Sequence, residues 1–278
     1  MPFDPCNTCS YLNRDAEITG SAPTEEAYVV VEVAKPWPRK IKKAADLPEE
    51  LRDVVKRAPV DGCLIGTPPS GPERRVRVYR HDGSTTLCDD FAYDPRRLQD
   101  SLSGSPKGSP AEPVLLVCTH GSRDACCGRL GVPLLKASSP ERQFIECSHL
   151  GGHRFAPVVL ALPEWRFYGR LTPAGMHEFL SRLAGRQPDP GHYRGCGLYP
   201  KPVQVVEAEL WRRLNSPPRL EHFEIDQDIV RVFLAGGERF EARVEKANFE
   251  TIASCRDIDD GKTKNEKFYR LVELLVLR

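Results

Sequence analysis

Two pairs of residues within one stretch, residues 114–171, constrain this chain more than anything else in it. Cys118 and Cys127 have eight residues between them, and His149 and His153 have three, two of which are Gly151 and Gly152. Four soft or borderline donors arriving from two loops are what a metal or iron–sulfur site needs. Such loops meet only if the elements before them deliver both to one edge of a sheet.

The local pattern gives a way to do so. Residues 114–117 form an apolar strand ending at Cys118. Asp124 is placed to cap a helix with Cys126 and Cys127 in its first turn, running unevenly to Lys136 because Gly131 and Pro133 interrupt it. A strand over 144–147 leads into the loop His149-Leu150-Gly151-Gly152-His153, whose glycines permit backbone conformations that could turn both imidazoles inward. Residues 158–162 and 166–171 read as a hairpin around Pro163-Glu164, and Thr172-Pro173 opens a helix through Leu183. The order β-α-β-β-β-α has the helix crossover of a thioredoxin-like unit. A helix N-terminus beside the strand end lowers a thiol's pKa and favours thiolates.

An earlier module has the same order of elements. Residues 27–33 read as a buried strand stopped by Pro36-Trp37-Pro38, and 47–58 as a helix capped by Asp46. Strands follow at 62–66 and 74–80, the second alternating arginine with valine or tyrosine as a half-exposed edge would. Asp82-Gly83 turns a hairpin, and 95–102 is a short helix. Residues 101–113, rich in serine, glycine and proline, read as a linker. After the central unit come a helix over 203–214 and strands at 220–225, 229–234, 240–244 and 269–277. The expected class is α+β: an N-terminal α/β module (1–105), a thioredoxin-like domain (106–200), and a C-terminal helix with a small antiparallel meander (201–278).

Composition narrows the function classes. With 278 residues and 40% hydrophobic content the chain can bury a core, and its formal net charge of +1 favours neither nucleic acid nor an acidic membrane. Without a signal peptide or an apolar run of spanning length, it reads as soluble and cytoplasmic. Ten cysteines in a reducing compartment are ligands, redox groups or small buried hydrophobes before they are disulfides. Cys63, Cys88, Cys196 and Cys255 sit in apolar or strand-like settings and read as packing residues. Cys6-x-x-Cys9 lacks a second CxxC or a preceding βαβ unit and reads as two thiols on an ordered tail. Cys126, Cys147 and His120 take structural readings, as do His81, His177, His192 and His222.

Cys-x8-Cys followed by His-Leu-Gly-Gly-His resembles the sucrase/ferredoxin-like family, a branch of the thioredoxin-like [2Fe–2S] ferredoxins. The surrounding residues are similar too: Val117-Cys118-Thr119-His120-Gly121, Gly152-His153-Arg154-Phe155-Ala156-Pro157, Tyr168-Gly169-Arg170-Leu171, Pro36-Trp37 and Tyr193-Arg194-Gly195. The resemblance covers roughly residues 6–210 and leaves out the last meander. It implies one [2Fe–2S] cluster held by Cys118, Cys127, His149 and His153, with cysteines on one iron and histidines on the other. Family spacing favours Cys127 over Cys126. Two neutral imidazoles in place of thiolates raise the potential, as in Rieske centres. The function implied is one-electron transfer, proton-coupled through the imidazoles, to an unidentified redox partner protein.

Three other chemistries compete for these residues. A structural zinc takes the same Cys2His2 donors. A thiol oxidoreductase of thioredoxin type needs CxxC at the helix start, which Cys126-Cys127 is not. Glycoside hydrolysis needs two facing carboxylates, whereas Asp89-Asp90 and Asp259-Asp260 read as turn and loop acids. The chain is therefore expected to be a non-enzymatic electron carrier.

Overall fold

The computed structural model describes residues 7–138 and 143–277. The first element is a single-turn helix, α1 (Cys9–Leu12), capped by the Thr8 hydroxyl, which accepts from the Tyr11 amide. The N-terminal module follows as β1 (Ala27–Glu32), α2 (Glu49–Arg57), β2 (Gly62–Thr67), β3 (Arg75–His81), β4 (Thr86–Ala92), α3 (Pro95–Leu102) and β5 (Ser109–Pro110). Its sheet runs β2-β1-β3-β4-β5, with β1 and β2 parallel and the other pairs antiparallel.

The central module comprises β6 (Val114–Cys118), α4 (Ala125–Lys136), β7 (Gln143–Cys147), β8 (Val159–Leu162), β9 (Arg166–Tyr168), α5 (Met176–Ala184) and β10 (Tyr193–Cys196). Its sheet order is β10-β9-β8-β6-β7, again with one parallel pair, β6 and β7, joined by a helix. The two modules thus repeat one topology, since β2-β1-β3-β4 and β7-β6-β8-β9 correspond strand for strand. The chain ends in α6 (Lys201–Leu214) and an antiparallel sheet of β11 (Leu220–Asp226), β12 (Ile229–Leu234), β13 (Arg239–Ile252) and β14 (Thr263–Leu277). The α+β class expected from the sequence is the class observed.

Strand β6, and β1 as far as Val31, are apolar because both their faces are covered. Val29 and Val31 pack with Leu51 and Leu98 beneath the helices of the first module. Tyr28 and Val30 face the other way and share a core with Leu116, Leu160 and Trp165 of the second sheet. The Tyr28 and Trp165 rings are 4.5 Å apart at the heart of this contact. At the edge strands, the Ser148 amide donates to Gly66 O (2.7 Å) and the Gly66 amide to Ser148 Oγ (2.9 Å), joining the modules beside the His149 loop.

Several elements differ from expectation. Asp46 does not cap α2, whose N-cap is Pro48; its carboxylate instead accepts from the Ala34 amide and the Arg74 guanidinium. β3 is an interior strand whose arginines stay part-exposed at the margins of the covered faces: Arg75 and Arg77 both pair with Asp90, and Arg80 donates to Ser101 O. The 101–113 stretch contributes the buried end of α3 and the short strand β5. Helix α4 runs unbroken through Gly131 and Pro133, and α5 begins at Met176, past the turn that Thr172 closes. β10 was not expected. β13 and β14 are far longer than expected, 14 and 15 residues, and their hairpin end reaches the central module.

Candidate metal centre

Strand β6 carries Cys118 to the edge of its sheet, and α4 begins six residues later at the Asp124 cap, whose carboxylate accepts from the Cys126 amide. The helix lies directly on the strand end because Gly131 has no side chain. A Cβ there would overlap the Cys118 carbonyl. The intervening loop is pinned by the N-terminal module: Ser122 Oγ donates to Trp37 O (2.6 Å) and His120 Nε2 lies 2.9 Å from Pro38 O. His120 Nδ1 accepts from the His149 amide at 3.1 Å, which makes His120 a neutral ring protonated on Nε2. His120 thereby ties the cysteine loop to the histidine loop.

Gly151 and Gly152 take φ values of +81° and +72°, so the histidine loop depends on their conformational freedom. Arg194, 1% exposed, holds that loop from β10. Its guanidinium donates to Gly151 O (3.0 Å) and Ser21 O (2.6 Å), and burial brings its pKa down to about 9. The Phe155 ring covers it at 5.2 Å. A Cβ on Gly152 would overlap Arg194.

Three of the four candidate ligands converge. Donor atoms of Cys118, Cys127 and His149 all lie within 4.8 Å of one another. The Cys127 thiol, with His149 beside it, holds the Cys118 thiol well below the usual range, and the resulting negative charge pushes Cys127 upward. The Nδ1 atom of His149 is buried with no hydrogen-bond partner, a donor set up for something other than the protein's own groups. His153 is set slightly apart. Its ring centroid is 5.5 Å from that of His149, but its Nδ1 faces Asp124 Oδ2 at 3.4 Å and Cys9 Sγ at 3.5 Å. Burial lowers the His153 pKa, with Asp124 pulling the other way.

His153 thus borders a second group of possible metal ligands, Cys9, Asp124, Cys126 and His153, whose donor atoms also lie within 4.8 Å of one another. Cys255 joins it from the β13–β14 connection, its thiol 3.6 Å from Cys9 Sγ and its amide donating to Asp124 Oδ2 at 3.0 Å. Reading the sequence missed this group, taking Cys9 for a tail thiol and Cys126 and Cys255 for packing. The adjacency of Cys126 to Cys127 was the one local signal. Cys6 lies outside the described residues. Cys147 does pack in the core, where burial raises its pKa well above the usual range. Asp89 binds Arg97 and Ser101, and Asp260 pairs with Lys262 in the turn before β14, so both acids are held in local contacts.

A strand–helix junction gathering thiols and imidazoles defines a protein that could hold a metal ion. The chain belongs to the sucrase/ferredoxin-like family, whose model matches residues 18–195. Over 91 residues it is 32% identical to altered inheritance of mitochondria protein 32 of Meyerozyma guilliermondii, a match covering 28% of this chain and 32% of that protein. The match therefore spans about a third of that relative's length. No solved structure matches the chain. No helix among the described residues is long and apolar enough to cross a membrane.

Proposed function

We propose that the protein is a thioredoxin-like ferredoxin that binds one [2Fe–2S] cluster through Cys118, Cys127, His149 and His153. It would pass single electrons to a redox partner protein in the cytoplasm. The observation that carries this reading is the convergence of Cys118, Cys127 and His149 within 4.8 Å, inside the span that matches the family. The order β9-β8-β6-β7, with β6 and β7 parallel around α4, supports the ferredoxin topology. The orphaned Nδ1 of His149 and the soft, buried thiol pair fit such a group.

When bound, the cluster supplies a one-electron couple. The residues around it tune that couple and move a proton. Two imidazoles in place of thiolates leave the site less negative, which raises the potential. Asp124 Oδ2, 3.4 Å from His153 Nδ1, stands where carboxylates orient metal-bound histidines. A proton held at an imidazole nitrogen when the site is reduced is released on oxidation, so the potential should fall by up to about 59 mV per pH unit.

Absorption and EPR spectra of anaerobically purified protein test the reading, with His149→Cys and His153→Cys alongside. A red-brown protein, with variants that keep their colour but show shifted spectra, supports histidine ligation. A colourless protein, or spectra unchanged in both variants, removes it. A potential flat from neutral to alkaline pH would falsify the proton coupling.

A further inference from the structure

We propose a second, structural zinc site formed by the thiolates of Cys9, Cys126 and Cys255 and the Oδ1 atom of Asp124. Three cysteines from three distant parts of the chain meet here. Cys9 Sγ is 3.5 Å from Cys126 Sγ and 3.6 Å from Cys255 Sγ, and Cys126 and Cys255 also interact. Zn–S bonds of about 2.3 Å in a tetrahedron set S···S edges of about 3.8 Å, close to these separations. Asp124 divides its carboxylate between the two centres. Oδ1 lies 3.0 Å from Cys126 Sγ and 3.7 Å from Cys9 Sγ, whereas Oδ2 faces His153 and the Cys255 amide.

The donor chemistry selects the ion. Three thiolates and one carboxylate suit Zn2+, while hard cations prefer all-oxygen shells. Binding releases the three thiol protons to solvent, and no electron is transferred. The negative charge gathered in this buried place is met by amides: the Cys9 N–H donates to Cys255 Sγ at 3.4 Å, and the Cys126 N–H to Asp124 Oδ1 at 3.3 Å at the positive end of α4. Cys9 and Cys255 both lie outside the family-matched span of 18–195, so the family match does not account for the site. It staples α1 and the β13–β14 connection onto the Asp124–Cys127 turn, where a metal contributes folding free energy outright.

The test is metal analysis of full-length protein purified under reductant with zinc in the growth medium. About one zinc per chain is expected in addition to any iron. Cys9→Ser and Cys255→Ser should each lose that zinc while keeping the iron content of the parent protein. Cys118→Ser should lose iron and keep zinc, so failure of the cluster reading would not resemble failure of this one. Cys255→His retains a zinc donor and should restore the metal, separating lost ligation from misfolding. Cobalt added to zinc-free protein should give tetrahedral thiolate bands that Cys255→Ser abolishes. The site is overturned by protein that takes up no second metal, by zinc retained in the Cys9→Ser/Cys255→Ser double variant, or by a Cys9–Cys126 disulfide in freshly reduced protein.

Discussion

Cys126 and Cys127, neighbours in the chain whose thiols also interact, reach into different groups of ligands. The Cys127 thiol meets Cys118 and His149, whereas the Cys126 thiol meets Cys9 at 3.5 Å and Asp124 Oδ1 at 3.0 Å. Successive helical residues project about 100° apart, so the first turn of α4 can feed two centres at once.

The two cysteines should therefore separate by phenotype. Cys127→Ser is expected to abolish bound iron and visible absorbance. Cys126→Ser should leave both within about 20% of the parent and lower the thermal midpoint by several degrees, about 1–2 kcal/mol. Iron quantitation together with thermal melts decides it, and equal iron loss in both would mean that the neighbourhoods are not distinct.

The histidine loop should fail by two routes that converge. Gly152→Ala places a methyl group against Arg194 at a positive φ, which costs about 1–3 kcal/mol from the backbone alone. Arg194→Met removes the bonds to Gly151 O and Ser21 O and should destabilise by about 2–4 kcal/mol. Both variants should bind less iron although neither residue is a ligand. Normal iron occupancy in Arg194→Met would show that the loop holds its shape unaided.

A buried ion pair on the far side of the central sheet offers a test of stability alone. Glu207, fully buried, accepts from Arg166 at 3.2 Å and from the Tyr193 hydroxyl at 2.7 Å, and Arg166 stacks over Trp211. Arg166→Met leaves a buried carboxylate unpaired and should cost about 3–5 kcal/mol. Arg166→Met combined with Glu207→Leu should recover much of that loss. Denaturant unfolding measures both, and a double variant no better than the single one would show that packing, not charge, dominates.

Glu25 supplies a pH dependence with a defined sign. Burial, with Asp61 adding repulsion, raises its carboxyl from the usual 4.5 to about 7. The folded state therefore keeps a proton that the unfolded chain has already lost. Below 4.5 both states are protonated and nothing is lost; stability then declines as pH rises from 4.5 to about 7 and levels off above. Glu25→Gln should stabilise the protein at about pH 8 and have little effect at about pH 4. Thermal midpoints across that range settle it, an equal shift at both ends being the contrary result.

Much of this was written locally in the chain. The continuous apolar runs through Val29–Val31 and Leu115–Val117 announced strands covered on both faces, and the paired cysteine and histidine spacings marked the loops that meet. Alternation along β3 marked its arginines as part-exposed but not how many strands flank it, because periodicity records faces and not neighbours. The far halves of β13 and β14 were hidden by polar residues such as Lys246, Glu250 and Lys264, which satisfy a ladder of backbone bonds without a hydrophobic signature. The meeting of Cys9 with Cys255, 246 residues apart, depends on that hairpin and leaves no local trace. His153 shows the same limit: its spacing from His149 was plain, but which nitrogen faces Asp124 is set by the folded loop.

The hairpin's reach also puts the protein's maturation on a timetable. A ribosome releases Cys9 well before the β13–β14 connection, because Cys255 follows it by 246 residues. The Cys118, Cys127 and His149 pocket has all its supports once β10 has emerged with Arg194. The contact between Cys9 and Cys255 must wait for some sixty residues more. One centre can thus be loaded on a nascent chain, while the other forms only after the β13–β14 connection has emerged, as a seal on a molecule whose core is already in place.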